Sequence, residues 1–79
     1  MAEDLLQRIT ASEGVMGGKP TIRGLRITVE QILRALAGGL RAEELLADYP
    51  ELEPEDIKAA LAYAADVVGE ERLYRIAGT

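Results

Sequence analysis

Ten of the twelve residues from Ile57 to Val68 are apolar, and only Lys58 and Asp66 break the run. A helix with so little polar surface must be covered on more than one face. One stripe, Ile57, Ala60, Leu61, Ala64 and Val68, is expected to face the rest of the chain. A second stripe, Ala59, Ala62, Tyr63 and Val67, then needs a cover of its own. A chain of 79 residues with no Phe and no Trp has little material to supply both, since chains this short bury only about 60–65% of the surface they expose when unfolded. The second stripe therefore reads as a surface for self-association, as a homodimer or higher oligomer, or for a protein partner. Small alanines let another helix approach closely, and Tyr63 offers an anchor with a polar tip. In the competing reading, an N-terminal hairpin or the C-terminal segment covers that stripe within one chain.

Local signals divide the chain into a Gly-rich β arm (1–27), a three-helix core (28–69) and a C-terminal turn or short helix (70–79) of one domain. Thr28 followed by Gln31 fits a capping box. The first helix then runs from about Val29 to Ala37, with Val29, Ile32, Leu33 and Leu36 as its apolar stripe and Gly38-Gly39 at its end. A second helix covers about Ala42 to Tyr49, with Leu45 and Leu46 inward and Pro50 as its stop. Pro54, at a first helical position, is followed by Glu55 and Asp56, which suit the positive end of a helix dipole. The third helix runs from there to about Val68, and Gly69 is expected to cap it. Three helices with short turns suit a mostly α, helix-turn-helix bundle with a small N-terminal β-hairpin.

The arm is less regular. "DLLQRI" (4–9) fits one helical turn or a short strand equally well. "TI" and "LRI" flank Arg23-Gly24 as two scraps of strand, with Gly24 free to take positive φ and with Ile22 and Ile27 packed on the helices. "GVMGGKPT" looks like a phosphate cradle but is not one: Gly14 and Gly18 are separated by three residues instead of four, and Pro20 follows Lys19 where a hydroxyl is needed.

Charge is unevenly spread over a chain of net charge −5. Residues 15–41 hold five cations and one anion, a net of +4, whereas 42–79 hold three cations and ten anions, a net of −7. The acidic whole argues against tight non-specific DNA binding. Lys19, Arg23 and Arg26 on the arm are the candidates for a weak, salt-dependent nucleic-acid contact. The alternative is a structural hairpin in which Arg26 pairs with an acid of the third helix and Lys19 is solvated. The third helix itself offers only Lys58 to a DNA groove, too little for base readout.

With no His and no Cys, the chain lacks thiols, disulfides and the usual zinc ligands. Its acids sit at helix starts and solvent-facing positions, and no nucleophile stands beside a base, so no enzyme and no cofactor are expected. There is no leader and no 18-residue apolar run, which points to a cytoplasmic protein with no membrane contact.

"GGKPTIRGLRITVEQIL" followed by "LLADYPELEPEDIKAALAYAAD" resembles the bacterial family called domain of unknown function 433, over about residues 8–66. Two departures stand out. "ASEG" lacks the Asp-Pro pair common before the Gly-rich loop, and Glu53 stands where a Thr cap is common. The resemblance implies a homeodomain-like fold with an N-terminal β element. It also implies an antitoxin of a toxin–antitoxin pair, the partner being a small PIN-like nuclease toxin. A small DNA-binding regulator that represses its own operon is the alternative. In the toxin reading the tail "ERLYRIAGT" adds partner candidates, with Arg72 and Arg75, and Leu73 and Ile76, each three apart. An inserted arginine would compete with the metal held by the toxin's carboxylates.

Overall fold

The structure, a computed structural model, describes residues 5–70, the side chain of Glu70 excepted. Leu5 and Leu6 lie in a helical turn, and the chain then straightens into β1 (Ile9–Thr10). The ambiguous segment 4–9 thus uses both options in succession. A short 3₁₀ turn at Met16–Gly18 returns the chain to β2 (Thr21–Ile22), antiparallel to β1 with Ile9 opposite Ile22. The stretch after β2 does not form a named strand but folds back on it. Arg23 (φ 46°) and Gly24 (φ 75°) are both left-handed, the pattern of a type I′ turn, and Leu25 N–H donates to Ile22 O at 2.7 Å. Ile22 N–H then donates to Ile27 O at 3.0 Å.

Three helices follow: α1 (Val29–Ala37), α2 (Ala42–Asp48) and α3 (Pro54–Glu70). The capping box of α1 is formed in both directions. Gln31 N–H donates to Thr28 Oγ1 at 2.9 Å, and Thr28 N–H donates to Gln31 Oε1 at 2.8 Å. Its far end is a Schellman motif: Leu40 N–H reaches Ala35 O and Gly39 N–H reaches Leu36 O, with Gly39 at φ 102°. Gly69 does not cap α3 as expected. It lies inside the helix, because no left-handed residue interrupts the hydrogen-bond ladder there.

The core joins both parts. Ile22 and Ile27 from the arm pack with Val29, Ile32, Leu45, Leu52, Ile57 and Ala60 from the helical region. β1 lies against α3, and α1 and α2 both pack on α3 and on each other. The fold is therefore mostly α, three helices with one small antiparallel β element clasped on.

Candidate functional site

The rotation of α3 about its axis decides which residues remain available, and Asp56 fixes that rotation. Its side chain is fully buried and holds three elements together. Arg23 donates from Nε to Oδ1 at 3.1 Å and from Nη2 to Oδ2 at 2.8 Å. Arg8 donates from Nη1 to Oδ1 at 2.8 Å, and Glu53 N–H donates to Oδ2 at 2.8 Å. That last bond is half of a capping box, supplied by the acid at the third helical position although Glu53 is no Thr. Burial alone pushes the Asp56 carboxyl up. The hydrogen bonds from Arg23, from Glu53 N–H and from Arg8 outweigh it and hold the carboxyl below its ordinary value.

Because Asp56 faces inward, Ala59 and Ala60 do too, and both are completely buried. This differs from the expected stripes in both directions. Ala59, placed on the outer stripe by sequence, is covered by the chain itself. Leu61 and Val68, placed on the inner stripe, are 49% and 62% exposed. Ala62 and Tyr63 are half-buried and Val67 is 41% exposed. Val67 falls eleven residues after Asp56, back on the core-facing side. It is exposed because α1 and β1, on either side of it, leave it between two open grooves. The result is an apolar helix end bordered by open grooves. One, about 370 Å³, runs beside α1 and includes Leu33, Ala64, Val67 and Val68.

The arm's cations part company. Arg23 is turned onto Asp56 and also donates to Glu51 O at 2.7 Å, so the arm–helix pairing expected of Arg26 is made by Arg23 instead. Lys19 pairs with Glu30 at 3.2 Å, and Arg34 pairs with the same carboxylate at 2.9 Å. Those two hydrogen bonds, Arg34 first, hold the Glu30 carboxyl below its ordinary value. Arg26 is exposed, and its Nη1 lies 3.9 Å from the Met16 sulfur. Arg72, Leu73, Arg75 and Ile76 lie outside the described residues. Among the described residues no group of three or more acids could hold a metal ion, and no helix is long and apolar enough to cross a membrane.

Sequence reasoning missed Arg8 and the true role of Asp56. Asp56 carries a local signal, its place three residues after Glu53, but Arg8 sits 48 residues away in a segment with no periodicity.

A family model described as protein of unknown function (DUF433) matches residues 9–64. Uncharacterized protein y4eO of Sinorhizobium fredii (strain NBRC 101917 / NGR234) is 36% identical over 56 residues, which is 71% of this chain and 25% of that protein. The chain thus spans about a quarter of the length of that relative. The crystal structure of a DUF433 member protein from Anabaena variabilis ATCC 29413 superposes with a TM-score of 0.73 at 38% identity. It covers 81% of this chain and 63% of the Anabaena chain.

Proposed function

The chain belongs to the DUF433 family, a name that assigns no activity, and from that premise we propose that it is a docking protein of the antitoxin type. Its target is a small PIN-like nuclease toxin, which it binds and neutralises in the cytoplasm; it catalyses nothing itself and needs no cofactor. The observation that supports this reading is the second half of α3. Val67 and Val68 lie 41% and 62% open near the end of a helix whose Ala59 and Ala60 are sealed. Burying such surface against another protein gains roughly 25 cal/mol per Å². Tyr63 at its edge is the kind of side chain that anchors interfaces.

Co-expression with the product of the adjacent reading frame tests it. The two chains are expected to co-purify, with ribonuclease activity suppressed, and Val67→Asp with Val68→Asp is expected to abolish both effects. A nuclease neighbour that stays active and unbound overturns the reading.

Weak DNA contact by the arm is the second reading. It rests on Arg26, which forms no ion pair with any described residue, whereas Arg23 and Lys19 are held by carboxylates. With so few phosphate contacts, binding falls with salt at a slope near −0.9 per contact. Fluorescence anisotropy on operon DNA tests this, and binding unchanged in Arg26→Ala excludes the arm.

A further inference from the structure

The groove between α1 and α3 is charged on one rim only. Val29 and Leu33 of α1 and Tyr63, Ala64, Val67 and Val68 of α3 line its volume of about 370 Å³. On the α3 side the edge continues outward through Leu61 and Ala65, which share the turn spacing of Ala64 and Val68. Leu61, Ala65 and Val68 are exposed, and this edge carries no charge. On the α1 side the rim is Glu30 and Arg34.

Glu30 does more than offset charge at that rim. One of its oxygens accepts from Arg34 Nε at 2.9 Å, and the other from Lys19 Nζ at 3.2 Å. The two Nη groups of Arg34 donate to none of the described residues, and its side chain is 79% exposed. Held by Nε from the preceding turn of its own helix, the guanidinium presents its outer N–H groups as a fork that fits a carboxylate through two parallel bonds. Two cations against one anion also leave this rim positive, on a chain of net charge −5.

We infer that the groove receives a segment of the protein partner in which an Asp or Glu stands beside apolar side chains. The apolar side chains fill the groove, and the carboxylate sits on the Arg34 fork. Charge complementarity selects this occupant. A wholly apolar segment leaves the fork unused. A basic one meets like charge on α1, where Glu30 is already taken by two cations, and finds no acid on the α3 edge. Arg34 is then the residue that sets specificity, and the valines of α3 supply the buried area.

The inference rests on reading the end of α3 as a docking face, and it adds the chemistry of what docks there. Selection of a phage-displayed library of random short peptides on the full chain tests it. Enriched peptides are expected to pair Asp or Glu with apolar residues. In fluorescence anisotropy the best of them loses about tenfold in affinity on Arg34→Lys, which keeps the charge and removes the fork, and about tenfold when its acid becomes the amide. Both changes together cost little more than either alone, because they break one contact. Val68→Asp abolishes binding with unchanged helical circular dichroism. Enriched peptides without an acid, or two losses that simply add, overturn the inference. So does a self-associated chain that Arg34→Lys dissociates, since a second copy then fills the groove. Acid-bearing peptides held by Arg34 while the adjacent-frame nuclease stays unbound remove only the toxin reading. A captured nuclease whose affinity ignores Arg34→Lys removes only this inference.

Discussion

Asp56 is the residue on which the rest of the molecule turns. It is a buried carboxylate whose partners come from the arm and from its own helix start. Replacing it with Asn keeps the shape and removes the charge, leaving Arg8 and Arg23 without their counter-ion. The expected loss is about 2–3 kcal/mol in urea unfolding, below the figure for fully buried pairs because both arginines reach solvent. The pH dependence follows from the direction of the shift. A carboxyl held below its ordinary value contributes its full stability above the unfolded value, about 3.9, and loses it as pH falls through the lower folded value. Acid titration of stability is therefore expected to be steeper in the natural protein than in Asp56→Asn. Little of this cluster was legible in sequence. The residues were visible as charges, but their pairing spans 33 and 48 positions, and nothing local says which arginine turns inward.

At the scale of elements, legibility follows the range of the signal. α1 was readable to its ends because a capping box, a 3–4 apolar spacing and a Gly-Gly stop all lie within twelve residues. Thr28→Ala is expected to cost about 1 kcal/mol by removing that cap, read as a lower thermal midpoint. The start of α3 was readable too, but its orientation was not. Alanines on every side give no preferred face, and the deciding residue is polar. Nor did sequence show that α3 continues through Gly69, which sits in helical backbone where an added Cβ meets nothing within 4 Å. Gly69→Ala is accordingly expected to raise stability by up to about 1 kcal/mol. β1 is two residues long, too short for any alternation to mark it.

For the whole molecule, the apolar run of α3 divides into two fates. Ile57, Ala59 and Ala60 are core, closed by the arm that Asp56 clamps down, whereas Leu61, Val67 and Val68 stay open. The sequence carried the excess of apolar surface, though it placed that surface partly on the wrong residues: Ala59 is sealed, and Leu61 and Val68 are open. Because Val68 is mostly exposed, Val68→Asp is expected to change folding stability by less than about 0.5 kcal/mol while abolishing association. Hydrogen exchange with and without the co-expressed partner tests the docking face most directly. Amides of residues 63–69 are expected to exchange more slowly in the complex, with those of α2 unchanged. Exchange along α3 that is the same in both would contradict the account.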